Sequence, residues 1–265
     1  EMAYRNFTLI FFLSISTSCI DQDQIHTNEF EKYHPAIERW QKKNEERLLE
    51  SLTLLTEITH SYLDGDVPRI DWQKAWHQAH RSWLQSALLG FFSETNQIDA
   101  WPISPGFLDS IDDYPETGIV NDLSLGISSQ IIRKQHHITD SSEVSLGFHV
   151  LEYYAFSRPE KDLKETDEIS YRRRQLIRLV AEMLLLEASE LIKNQKLESI
   201  PLLERLLTKS HTLLSEFNRS GEHGQFSDSS LASVSVQLKS INTLMHKPIA
   251  FSSYLRDLDK ELAKT

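Results

Sequence analysis

The sequence predicts an all-α protein of about eight helices. Two observations carry that reading. Apolar residues recur every three or four positions almost throughout. Turn formers are scarce: 8 Gly and 8 Pro in 265 residues cannot punctuate an all-β chain, which needs a turn about every 8–12 residues. With 40% hydrophobic and 25% charged residues the composition is that of a globular chain, long enough to bury a real core. The formal charge of −11 argues against a nucleic-acid partner, because phosphate has to be neutralised by Lys and Arg.

The first stretch, "EMAYRNFTLIFFLSISTSC", carries a basic Arg5, an apolar run over 7–15, and the small residues Ser16, Thr17 and Ser18. This is the shape of a signal peptide, too short to span a membrane with flanks. Cys19 is the only cysteine, so no internal disulfide can form. Its place directly after small residues is that of the lipid-modified cysteine of a bacterial lipoprotein; an ordinary secretory signal is the alternative. Residues 1–18 are therefore expected to be signal peptide, Cys19 a lipid anchor and 19–28 a polar tether. Residues 29–265 form the helical domain.

Helical periodicity starts at Glu29, with Ile37, Trp40, Leu48, Leu52, Leu55 and Ile58 at three-to-four-residue spacing. Pro35 suits a first turn and Gly65 a stop. A second helix starts at Asp71 and ends near Phe92, with Trp72, Trp76, Trp83 and Leu84 on or near one face; aromatic residues so spaced pack bundle cores. The stretch "IDAWPISPGFLDSIDDYPETGIVND" resists helix through Pro102, Pro105, Gly106, Pro115 and Gly118. Long irregular segments are functional or disordered, and Trp101, Phe107, Leu108, Ile111 and Ile119 argue against disorder. Asp122 or Ser124 caps a helix to about His137, and Ser141 or Ser142 opens the next. A charged connector leads to a helix over 170–193. Further helices are expected over 202–217, from Ser227 or Asp228 to Met245, and over 248–262.

The helix opened at Ser141 or Ser142 carries "LGFHVLEYYAF". His149 and Glu152, three apart, share a face and can offer an imidazole nitrogen and a carboxylate oxygen to one cation. Gly147 costs about 1 kcal/mol relative to Ala inside a helix, which makes sense where another backbone or a ligand comes close. Two donors are too few. The others have to come from Glu57, His60, His77, His80, Asp99, Asp112 or Asp113, and His136 or His137. His80, between Trp76 and Trp83, is most simply a half-buried, hydrogen-bonded imidazole. Arg81, among tryptophans, implies a fixed carboxylate partner or a bound anion.

"GFHVLEYYAF" resembles the Gly-x-His-x-x-Glu signature of the imelysin family at Gly147, His149 and Glu152. Three further stretches are similar to that family in the same order: "AWHQAHRSW" with Trp76, Arg81 and Trp83; "IDAWPIS" with Ile98, Asp99, Trp101 and Pro102; and "ETGIVND" with Gly118, Ile119, Asn121 and Asp122. The resemblance runs from about Glu29 to Lys193. It implies two bundle-like helical halves with a site near their junction. There His149 and Glu152 would hold a metal ion, iron or alternatively zinc, supported by Gly147, Arg81, Asp99 and Trp101. The family includes the periplasmic component of some bacterial iron-uptake systems. The resemblance therefore implies a lipoprotein of the bacterial cell envelope that binds iron or an iron-bearing ligand, with the membrane and an iron-transport protein as partners.

Two other readings remain. The family was first classed as metallopeptidases, but the chain has no His-Glu-x-x-His and no identifiable base for an open coordination position. Ala87 and Leu88 stand where members often carry an acidic residue, and "AFSRPE" replaces a polar ending. Those departures suit an interaction lipoprotein that has lost its metal.

Overall fold

The computed structural model describes residues 22–89, 97–194 and 224–246. Among these residues there are eight α-helices: α1 (Gln22–Asp64), α2 (Arg69–Ser86), α3 (Pro105–Leu108), α4 (Ser129–Gln135), α5 (Phe148–Glu152), α6 (Lys161–Lys164), α7 (Glu168–Asn194) and α8 (Ser230–His246). A 3-10 turn, Ala87–Leu89, extends α2, and a π turn, Tyr153–Ser157, extends α5. The only β pairing among the described residues is an isolated bridge between Ile111 and Tyr114. The all-α class is as the periodicity predicts; the short α3 and α6 lie in stretches read from the sequence as an irregular segment and a connector. No described helix is long and apolar enough to cross a membrane.

α1, α2 and α7 pack together, with α5 against α2 and α7, and α8 against α2. The α2 stripe of Trp72, Ala75, Trp76, Ala79 and Trp83 is buried, its positions falling on one face of a 3.6-residue helix. It meets Leu48, Leu52 and Leu55 of α1 and Leu176, Ile177, Val180 and Leu184 of α7 in one hydrophobic cluster. Fully burying each large side chain of this kind is worth roughly 1.5–3 kcal/mol. The tryptophans are core, as their spacing implies.

The irregular segment after residue 97 is pinned to this core by arginines. Arg172 of α7 donates to the carbonyls of Ile119, Val120, Asp122 and Leu125 at 2.7–3.1 Å. Gly118 (φ +93°) allows the segment to cross itself, since a Cβ there would lie 2.4 Å from the Asp109 nitrogen. Arg69 of α2 donates to the carbonyls of Tyr154, Ala155 and Arg158, which closes the end of the π turn.

Several boundaries differ from the sequence reading. α1 runs back to Gln22, over most of the expected tether, and Pro35 lies inside it rather than in a first turn. The helix expected from Asp122 or Ser124 is only α4, capped by Ser128. Arg172 takes the carbonyls of Asp122 and Leu125, and Ser124 turns back on Asp122 Oδ1. The signature helix begins at Phe148, not at Ser141 or Ser142. Ahead of it, Thr139 N and Asp140 N donate to Glu143, and Ser142 N donates to Asp140. Short polar side chains of this kind compete with helix for the backbone. Cys19, the signal segment and the helices expected over 202–217 and 248–262 lie outside the described residues.

Candidate metal centre

α2 carries His80 into the core. The Trp76 ring stacks on the His80 ring at 4.8 Å, and the Trp76 indole N–H donates to the Phe148 carbonyl at 2.9 Å, so one side chain fixes α2 to the start of α5. Gly147 is the residue before α5, with φ +93°. A Cβ there would lie 2.4 Å from the Gln97 carbonyl oxygen and 2.6 Å from that of Ile98. The backbone of 97–98 thus passes directly over Gly147, and Phe148 N donates to Ile98 O at 2.8 Å. The close approach inferred from Gly147 is real, although the glycine precedes the helix instead of interrupting it. It sets Asp99 beside His149.

Asp99 Oδ1 lies 3.0 Å from His80 Nε2 and 3.2 Å from His149 Nε2. The other nitrogen of His149, Nδ1, lies 2.7 Å from Glu152 Oε2. Glu152 Oε1 accepts from Ser227 N at 2.9 Å and Ser227 Oγ at 2.5 Å. His149 and Glu152 are fully buried, and Asp99 retains 11% side-chain exposure. Trp101, whose peptide to Pro102 is cis, meets the His149 ring edge-on at 5.1 Å.

The electrostatics follow from that packing. Burial pushes the His149 pKa down, but hydrogen bonds to Asp99 and Glu152 and the charges of both carboxylates outweigh it and hold the imidazolium to about 9. Burial would raise the Glu152 pKa; its bond to His149, the charge of that ring and the Ser227 donors lower it. Without metal, His149 is therefore a cation between two carboxylates at neutral pH.

His80, Asp99 and His149 each bring one ligand atom into a group whose atoms lie within 4.8 Å of one another. Two imidazole nitrogens and one carboxylate oxygen are a donor set suited to ferrous iron, and also to zinc. Glu152 sits on the opposite nitrogen of His149, where a carboxylate fixes the ring and raises its basicity as a ligand.

The sequence-selected residues thus separate. His149, Asp99, Trp101 and Gly147 converge, and Glu152 stands behind His149. His80 is both a hydrogen-bonded imidazole and a donor in the cluster. Arg81 is exposed and has no carboxylate partner among the described residues; its charge helps to lower the pKa of His77, after the larger effect of burial. His60 pairs with Glu182 at 3.3 Å, Asp112 and Asp113 are exposed, and His136 stacks on His137. Sequence reasoning missed the part played by Ser227, which reads there only as a helix cap.

A helical fold with a buried cluster of two histidines and one aspartate has the outline of a metal-binding helical protein. The imelysin family profile matches residues 70–265, and the chain belongs to that family. The match begins at α2 and continues past Lys193, where the motif resemblance stops. Comparison with curated proteins gives no match.

Proposed function

We propose that this imelysin-family protein binds a divalent metal ion at His80, Asp99 and His149, with iron as the physiological ion and zinc as its competitor, and that it serves iron uptake at the bacterial cell envelope. The observation that supports this most is the convergence of three ligand atoms from α2, the irregular segment and α5 within 4.8 Å. Glu152 is then the residue that aims His149 rather than a direct ligand. Binding displaces the His149 proton, because only the neutral imidazole coordinates. Lipid anchoring through Cys19 would keep the protein at the membrane beside a transport partner.

Anomalous scattering at the iron and zinc edges, from crystals soaked with each metal, tests the site. A peak between the two Nε2 atoms and Asp99 is expected. A peak elsewhere, or calorimetry in which His80→Ala and His149→Ala bind as wild type does, removes this assignment. Hydrolysis of a peptide library that chelator abolishes would support a peptidase instead. Labelled palmitate should enter the wild-type protein and not Cys19→Ser.

A further inference from the structure

We infer that Ser227 is a positioning residue for the metal centre, and that through it the turn ahead of α8 is coupled to metal binding. The inference rests on the metal-binding reading above. A carboxylate can aim an imidazole only if it is itself fixed. Glu152 Oε2 is committed to His149 Nδ1; Oε1 accepts from the N–H and the hydroxyl of Ser227. Glu152 is wholly buried, so solvent cannot replace a lost donor and the cost of losing one falls on the orientation of the carboxylate.

The hydroxyl has one proton. Its 2.5 Å contact with Glu152 prevails over the 3.3 Å contact with Gly224 O. The neighbouring Ser229 hydroxyl, 2.7 Å away, must then donate to Ser227. The Ser229 hydroxyl thus donates to Ser227 and Ser227 to Glu152, which accepts from His149 Nδ1–H on its other oxygen. Ser229 O in turn accepts from Ser233 N of α8 at 2.9 Å. α8 packs against α2, the helix that carries His80. Both histidines therefore reach the C-terminal segment, one through α2 and the other through Glu152 and Ser227. Ser227 lies 75 positions from Glu152, so this is a tertiary clasp and not a local cap. If the clasp aims His149, metal binding must stabilise the clasp by the same free energy.

Cobalt(II) is the probe, with wild type, Ser227→Ala, Ser227→Thr, and Ser240→Ala as a control whose hydroxyl, among the described residues, bonds Val236 O within α8. Ser227→Ala should weaken cobalt binding by about tenfold or more, the usual cost of losing an outer partner. It should also change the cobalt absorption envelope and move the His149 imidazole ¹⁵N resonances in the metal-free protein. Ser227→Thr should recover all three, and Ser240→Ala should change none. In wild type, cobalt should slow exchange of the 227, 229 and 233 amides. Wild-type affinity and spectrum in folded Ser227→Ala, or an equal effect from Ser240→Ala, overturns the inference. If Ser227→Ala does not fold, the wild-type exchange experiment decides: no cobalt-dependent protection overturns it. Wild type that binds no cobalt removes the metal-binding reading itself, before any variant is made.

Discussion

Asp99 and Asp109 leave the same irregular segment and enter the same protein interior, yet their surroundings differ in kind. Asp109, with no exposed side chain, accepts from Arg173 Nε at 2.7 Å and Nη2 at 3.0 Å, and from Ser110 N at 2.8 Å. Arg158 lies 3.7 Å from Asp109 and 2.8 Å from Asp162. Two guanidinium groups face two carboxylates, and the charges balance. Asp99 instead meets two imidazoles, and His149 is shared with a second carboxylate. A guanidinium keeps its proton at any ordinary pH, whereas an imidazole can exchange its proton for a metal. The first arrangement is a clamp and the second can be a site. Buried charge alone does not separate them; the type of cation facing the carboxylate does.

The largest effect that would sharpen this contrast is expected at the clamp. Arg173→Ala leaves Asp109 buried opposite a lost partner, and breaking a buried pair in this way costs about 3–5 kcal/mol. Urea melts should show that loss, while the variant that remains folded should bind metal with wild-type affinity. A stable Arg173→Ala protein, or one that folds but loses metal, would erase the distinction between the two aspartates.

At the site the order of effects reverses. Asp99→Asn keeps the shape and removes the charged donor. Metal affinity should fall by roughly 100-fold, because ligation needs the carboxylate, and the metal-free protein should also lose some stability below about pH 9, because Asp99 helps to hold the His149 imidazolium. Calorimetry and thermal melts on the same samples would check both halves.

Gly147→Ala should affect both quantities. The new Cβ would meet the Gln97 and Ile98 carbonyls at 2.4 and 2.6 Å, in a backbone with φ +93°. A strained backbone position of this kind costs roughly 1–3 kcal/mol. The segment that must move away is the one that holds Asp99, so weaker metal binding should accompany the lost stability. A Gly147→Ala protein as stable as wild type would mean that the crossing of 97–98 over the start of α5 is not tight.

Much of this was legible in the sequence, and the physical reasons for the rest are specific. The α2 stripe and α7 are long periodic segments, so their faces could be read directly. His149 and Glu152 could be paired because i, i+3 neighbours are local, but a spacing cannot say whether a carboxylate is a ligand or stands behind one. That depends on Asp99 arriving from another segment. Arg81 looked promising because of its tryptophan neighbours; they turn inward while it faces outward, which a helical wheel with Trp76 and Trp83 on the opposite face explains. The arginines that matter to the fold, Arg172 and Arg173, sit in the run "RRRQLIRL", where composition gives no sign of which ones turn inward. Ser227 could not be found by pattern at all, since its only signal is a tertiary contact.

The smallest and most discriminating effect is the pH profile of stability. The folded pKa of His149 is raised from the ordinary 6.5 to about 9, so its protonated form stabilises the metal-free protein fully below about pH 6.5, and this contribution is lost as pH rises through 9. Glu152 is lowered from 4.5, so its contribution is present above that value and is lost as pH falls through its lower folded pKa. His136, lowered to about 4 chiefly by burial, adds to the loss in acid, where the profile is therefore not diagnostic. On the alkaline side the metal-free and metal-bound proteins should diverge. Metal competes with the His149 proton, so metal binding strengthens between pH 6.5 and 9, over the range where the metal-free protein weakens. Melts across that range should show stability falling with pH in chelator and staying nearly level in saturating metal, because the gain in metal binding offsets the loss of the protonated form. Arg173→Ala should keep the divergence, because its clamp contains no imidazole, and His149→Gln should abolish it. Parallel slopes in wild type would mean that the proton on His149 and the metal do not compete for the same nitrogen, and the contrast between site and clamp would have to be drawn elsewhere.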